Sequence, residues 1–139
     1  MKTQKTLRLA SQGFILLSAL SLLSVSIMAF SSPQAVMDLV AVQLNNTDAF
    51  SSIRGVYGGV GLTLFISLIY LVRKEFQRGL AFLSLLWGFY AMSRIITIFN
   101  EGALGAFGTQ WLVTESALFL IAILLYQFNK RILMAKNVN

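Results

Sequence analysis

The chain has 139 residues, a formal net charge of +6 and a mean hydropathy of +0.75, with 57% hydrophobic and 12% charged residues. Soluble domains have roughly 45–50% apolar and about 25% charged residues, so this composition excludes a soluble globular protein. The sequence has neither Cys nor His. This excludes disulfide scaffolds, zinc sites of the usual kind, haem ligation by His and His-based catalysis. We therefore expect a protein that is not an enzyme and has no cofactor or metal.

Four apolar stretches are long enough to cross a membrane as helices, which takes about 20 residues for a hydrocarbon core of ~30 Å. The runs are too long and too uniformly apolar to be barrel strands. The fold class expected is an all-α, four-transmembrane-helix bundle that forms a single integral membrane domain over residues 1–139. The predicted spans are approximately Gly13–Phe30, Ile53–Val72, Gly79–Phe99 and Trp111–Phe128.

The loop after the first span has helical periodicity of its own. Pro33 suits the first turn of a helix. The apolar residues that follow are spaced at i, i+3, i+4 and i+8, which indicates a short amphipathic helix in the first outer loop. The predicted stripe consists of Val36, Leu39, Val40 and Leu44.

The distribution of basic residues predicts the orientation. Nine of the eleven Lys and Arg residues lie in the two tails and the loop between spans two and three, and the two opposite loops contain none. This bias predicts cytoplasmic N- and C-termini, and it argues against a dual-topology multidrug exporter and against nucleic-acid binding. The basic N-terminal segment also resembles a signal peptide, but its apolar stretch of about 18 residues exceeds the usual ~7–15, so we expect it to be retained. The nine residues are Lys2, Lys5, Arg8, Arg73, Lys74, Arg78, Lys130, Arg131 and Lys136.

Three ionisable residues fall inside the predicted spans. Arg54, Arg94 and Glu115 lie on three different spans, and a rise of 1.5 Å per residue places all three within roughly 5–8 Å of the outer boundary. Each such group costs at least ~2.5–3.5 kcal/mol to insert, so charges at this depth usually have partners and face the bundle. Tyr57 and Tyr90 lie one helical turn from the two arginines.

One interpretation of this layer is a binding site for a small anionic molecule or a lipid headgroup. Arginine forks suit carboxylate and phosphate groups, so Arg54 and Arg94 would hold the anion. Glu115 would orient the arginines, Tyr57 would donate a hydroxyl and Tyr90 would line the pocket. The protein would then bind or help move this ligand.

The alternative is a structural or accessory membrane subunit. Glu115 would then pair with one or both arginines, and Asp48 or Glu101 would complete the network from the loops. The charges would only lock the bundle, while Gly and Ser faces, such as the Gly55/Gly59 pair, would bind a partner protein or a second copy of the chain.

The residues of this layer also carry a family resemblance. The stretch Phe50–Gly59, which reads FSSIRGVYGG, is followed in order by Arg94, the turn Asn100–Gly102 and Glu115. The chain from about Asn46 to Tyr126 resembles the bacterial family 4345 of domains of unknown function. One departure is the turn itself, where an Asp is expected before the glycine. The resemblance implies a small integral membrane protein, which we expect in a bacterial inner membrane, and implies no activity.

Overall fold

A computed structural model describes the backbone of residues 2–137 and the side chains of residues 4–135. Two of the predicted inner-face cations, the side chains of Lys2 and Lys136, therefore lie outside the described side chains. The described part of the chain is helical and contains no strand, which confirms the all-α prediction. Its elements are α1 (Lys2–Ser31), α2 (Pro33–Asp38), α3 (Thr47–Ile53), a π-helical segment (Arg54–Gly59), α4 (Val60–Lys74), α5 (Phe76–Glu101) and α6 (Ala106–Asn137).

Four continuous helical stretches are long and apolar enough to cross a membrane, and each contains one predicted span. The second stretch consists of α3, the π-helical segment and α4. The four stretches extend beyond the apolar runs at both ends, so the connections are shorter than predicted. The loop between spans three and four is reduced to residues 102–105, and only Glu75 separates α4 from α5. The four helices are Gln4–Ser31, Thr47–Lys74, Phe76–Glu101 and Ala106–Ala135.

Local backbone chemistry sets two of the helix ends. The Asn46 side chain accepts a hydrogen bond from the backbone N–H of Ala49 at 2.8 Å, which caps the start of α3. Gly102 has a φ of 103°, which a residue with a side chain rarely adopts, and this conformation ends α5. The predicted turn at residues 100–102 is therefore the C-terminus of a helix.

The short helix α2 exists, but it is shorter than its predicted apolar stripe. It ends at Asp38, and the predicted stripe residues Leu39 and Val40 lie in the following turn, each 49% exposed. The other two stripe residues, Val36 and Leu44, pack into a small apolar cluster with Ala29, Met37 and Ile53.

The helix stops where Ala41 adopts a φ of 56° and the Val42 N–H bonds back to the Met37 carbonyl, and the Gln34 side chain holds the chain that follows. Its Nε2 donates to the Val42 carbonyl and its Oε1 accepts from the Leu44 N–H, both at 2.9 Å. These bonds fold the chain back towards α2 and compete with helix continuation. The prediction that all four apolar residues share one helical face was wrong for this reason.

The chain divides into two compact units. The first, here the hairpin unit, contains the start of α1 as far as Ile15 and the chain from Val72 onward. In it, α5 and α6 pack against each other as a helical hairpin. The second, here the π unit, contains residues 16–71 and therefore the second half of α1, α2, α3, the π segment and most of α4.

Candidate functional site

The central feature of the hairpin unit is an ion pair between α5 and α6. Arg94 Nε donates to Glu115 Oε2 at 2.6 Å, and Arg94 Nη2 donates to Glu115 Oε1 at 2.8 Å. The glutamate side chain is only 4% exposed and the arginine side chain 24% exposed. Two parallel charge-assisted bonds of this kind are the strongest geometry available to an arginine and a carboxylate.

This pair lies near the end of the hairpin that carries the short loop 102–105. Arg94 is about 10 Å before the end of α5, and Glu115 is about 14 Å after the start of α6, at 1.5 Å per residue. The structure thus shows the predicted pairing of Glu115 with an arginine. Because both carboxylate oxygens already accept from the guanidinium, the pair presents little net charge to a ligand.

The third ionisable residue of the predicted spans, Arg54, belongs to the π unit, and its side chain is exposed. Its Nε donates to the carbonyl of Phe30 at 3.3 Å. Phe30 lies in the last turn of α1, where carbonyls have no partner within the helix and where the helix dipole favours a cation. No Asp or Glu of the described residues pairs with Arg54, and the contact that its exposed guanidinium makes is with this helix end.

The backbone that carries Arg54 and Tyr57 is a π-helix over Arg54–Gly59. Such segments are rare and occur frequently at functional sites. Here the segment is packed closely against α1, because Ser26 Oγ donates to the carbonyl of Gly58 at 2.6 Å. A Cβ on Gly58 would lie 3.0 Å from the ring of Phe30, so only glycine fits without displacing that ring.

The remaining candidate residues, Tyr90, Asp48 and Glu101, take no part in the ion pair or in the contact of Arg54 with α1. Tyr90 lies one turn before the arginine on α5, with its ring 6.0 Å from that of Trp87. Asp48 lies in the first turn of α3, and Glu101 is the last residue of α5. Both acids are exposed, and neither forms an ion pair within the described range. The predicted completion of the network by Asp48 or Glu101 is therefore not found.

Two sets of contacts escaped sequence reasoning. One is the contact of Ser26 and Phe30 with the π segment. The other is a buried polar pair in the hairpin unit, where Asn129 Nδ2 donates to Ser11 Oγ at 2.8 Å and to the Leu125 carbonyl at 2.7 Å. The available signal was a Ser inside an apolar run in the first case, and a Ser and an Asn just outside apolar runs in the second.

Comparison with known proteins decides the family. The family model described as "Domain of unknown function (DUF4345)" matches residues 10–126. The chain belongs to this family. No curated protein and no solved structure matches it.

The match extends the predicted family resemblance towards the N-terminus. It begins at residue 10 rather than near Asn46, so in DUF4345 the first span is part of the matched region. The stretch that carried the resemblance, Phe50–Gly59, contains the whole π segment. The motif therefore coincides with a backbone feature, because the closely packed glycine at position 58 lies inside it.

Proposed function

We propose that this DUF4345 protein is a multi-pass inner-membrane protein without enzymatic activity, acting as a structural or accessory subunit. In this proposal the intramembrane charges hold pairs of helices together and do not bind a ligand. The observation that carries it is the ion pair in which both oxygens of Glu115 accept from one arginine, Arg94. A carboxylate saturated in this way is a poor general acid or base and a poor ligand for a second cation.

The geometry of Arg54 is consistent with the same role. Its bond to the Phe30 carbonyl fixes the π segment to the end of α1, as the ion pair fixes α5 to α6. Each arginine therefore joins two helices within its own unit. Isolated charges in lipid are expensive, so partners of this kind are what a structural role requires.

A helix surface available to a partner supports the accessory role. Gly55 and Gly59 are four residues apart, and a Cβ on either would meet nothing within 4 Å. Val56 and Val60 beside them are 61% and 53% exposed. Small residues at this spacing let a second helix approach closely in a membrane. A second copy of the chain or another membrane protein would provide that helix.

This part of the proposal is tested by oligomer analysis in lipid nanodiscs. We expect the wild type to form a defined dimer or a fixed complex, measured by light scattering and native mass spectrometry. Gly55→Leu and Gly59→Leu should dissociate it, whereas the control Gly13→Leu, also at an open glycine, should not. A monomer in the wild type, or equal behaviour of all three variants, would refute the partner surface.

The proposed orientation, with both termini in the cytoplasm, is supported by the nine-to-zero distribution of basic residues. The chain has no cysteine, so single cysteines report topology cleanly. We expect Asn45→Cys to react with an impermeant maleimide in intact cells and Lys74→Cys to react only after the membrane is opened. The reverse pattern would overturn the orientation.

A second candidate function, binding of a small anion or lipid headgroup near the outer face, is favoured by Arg54 alone. Its guanidinium has no acidic partner in the described part of the chain, and Tyr57 beside it on the π segment is 39% exposed. Arg94 and Tyr90 would then contribute to the scaffold. We expect an extra mass in native mass spectrometry that is lost in Arg54→Gln and kept in Arg73→Gln. A bare mass for the wild type would exclude this candidate.

A further inference from the structure

A groove lies at the end of the hairpin unit away from the loop 102–105, where α5 begins and α6 nears its end. It has a volume of about 350 Å³. Gln77 and Arg78 line it from α5, and Tyr126 and Lys130 line it from α6. Arg78 is 16 residues from the arginine of the ion pair on the same helix, or about 24 Å along the axis. The groove and the ion pair are therefore separate sites.

The polar groups of the groove favour an anion. Arg78 and Lys130 supply two cations, and no acidic residue lines the groove. Arg78 does contact Glu75 at 2.6 Å, but both side chains are exposed, and exposed pairs of this kind hold weakly. The Lys130 ammonium lies 6.0 Å from the centre of the Tyr126 ring, which orients it along α6.

An unsatisfied donor points to the same chemistry. Gln77 Nε2 is a buried side-chain atom that finds no hydrogen-bond partner among the described residues. A buried amide without a partner costs free energy, and Gln77 lines the groove, so a small rotation of its side chain would bring this N–H to an acceptor there. A phosphate oxygen is an acceptor that two neighbouring cations would also attract.

The rest of the lining is apolar. Ala81, Leu133 and Met134 complete the groove. Four of the lining residues share one face of α6, since they are spaced at i, i+4, i+7 and i+8. They are Tyr126, Lys130, Leu133 and Met134. An occupant must therefore combine an anionic group with a hydrocarbon portion, which free phosphate does not.

We propose that this groove binds the headgroup of an anionic phospholipid. The phosphate would contact Arg78, Lys130 and the amide of Gln77, while the first part of an acyl chain lies against Leu133 and Met134. Clusters of basic residues beside a membrane helix have the charge that anionic headgroups require. This site is independent of the proposed function, because it uses none of the residues of the ion pair or the π segment.

The test is lipid binding by native mass spectrometry, with phosphatidylglycerol added to the detergent-solubilised protein and phosphatidylcholine as the neutral lipid. The test variant is Arg78→Gln/Lys130→Gln. Its control, Arg73→Gln/Arg131→Gln, loses the same charge at neighbouring basic residues that do not line the groove. Gln77→Leu removes the unpaired amide at similar volume.

We expect the wild type to retain one phosphatidylglycerol in preference to phosphatidylcholine. The groove variant should bind it on the order of 30-fold more weakly, roughly five-fold for each cation, and the control should be unaffected. Gln77→Leu should also bind more weakly while its thermal unfolding is unchanged or improved. Three results would each overturn the proposal: an equal loss of binding in the groove variant and the control, no preference for the anionic lipid, or binding of inorganic phosphate as strong as that of phosphatidylglycerol.

Discussion

Neutralising Glu115 tests whether the ion pair holds α5 against α6. In Glu115→Gln the Arg94 guanidinium keeps its charge and loses its counter-charge, while the two helices remain in contact. Removing one partner of a buried pair costs about 3–5 kcal/mol. We expect the lower end of that range, about 3 kcal/mol, because 24% of the arginine side chain remains exposed.

A double-mutant cycle separates this loss from a general effect of mutation. Arg94→Gln leaves a buried carboxylate unpaired and should cost a similar amount. Arg94→Gln/Glu115→Gln leaves no unpaired charge, so its loss should be smaller than the sum of the two single losses by at least ~1.5 kcal/mol. The matched control is Glu101→Gln, the same substitution at an exposed position, which should stay within about 0.5 kcal/mol of the wild type.

The free energy of unfolding can be measured in mixed micelles of dodecyl maltoside and SDS. The only two tryptophans of the chain, Trp87 and Trp111, lie on α5 and α6 and report unfolding of the hairpin unit by fluorescence. If Glu115→Gln loses less than about 1 kcal/mol relative to Glu101→Gln, and the double variant is additive, the pair does not lock the helices. The structural proposal would then fail.

Three further predictions concern contacts within each unit and use unfolding in the same mixed micelles. Variants of the π unit, which has no tryptophan, are followed by circular dichroism of the helical signal. Gly58→Ala should destabilise by roughly 1–3 kcal/mol, because its new methyl group meets a phenyl ring at 3.0 Å, whereas Gly59→Ala has open space and should be neutral or slightly stabilising. Ser26→Ala should cost about 1–2 kcal/mol for a buried hydrogen bond to another helix, and Ser31→Ala, which loses bonds only to its own helix, less than ~0.5 kcal/mol. Asn129→Ala should cost about 1–2 kcal/mol, since it removes two bonds at a buried position. Equal losses within either matched pair, or none for the asparagine, would contradict these assignments.

The four spans could be predicted because a membrane imposes a length of apolar sequence on each helix. The helix ends could not be predicted from that requirement. They depend on single contacts, such as the Asn46 side chain at the start of α3 and the left-handed conformation of Gly102. The predicted stripe of α2 failed for a related reason, because the chain turns at Ala41 and the Gln34 side chain holds the residues after that turn. The spacing of apolar residues gives no information about side-chain and turn hydrogen bonds that compete with those of a helix.

The candidate site was predictable to the same degree. Counting residues along helices gives depth, and depth was enough to predict, in the structural alternative, that Glu115 pairs with one or both arginines. Depth gives no direction around the helix axis, and it gives no information about partners that are backbone atoms. The contact of Arg54 with the Phe30 carbonyl was therefore invisible, since any residue at position 30 offers the same carbonyl. The π segment has the same character, because it is a change in backbone hydrogen bonding.

The two positions therefore differ in whether they need a guanidinium group or only a positive charge, and Arg→Lys substitutions should distinguish these two requirements. Arg94 uses two guanidinium nitrogens on one carboxylate, and lysine cannot reproduce that fork. Arg54 makes a single 3.3 Å bond to a helix end, where any nearby cation is favourable. Arg94→Lys should therefore cost about 1–3 kcal/mol of unfolding free energy and Arg54→Lys less than ~1 kcal/mol. If Arg54→Lys is the more damaging of the two, its guanidinium has a partner that needs the fork, as an anionic ligand at the π segment would.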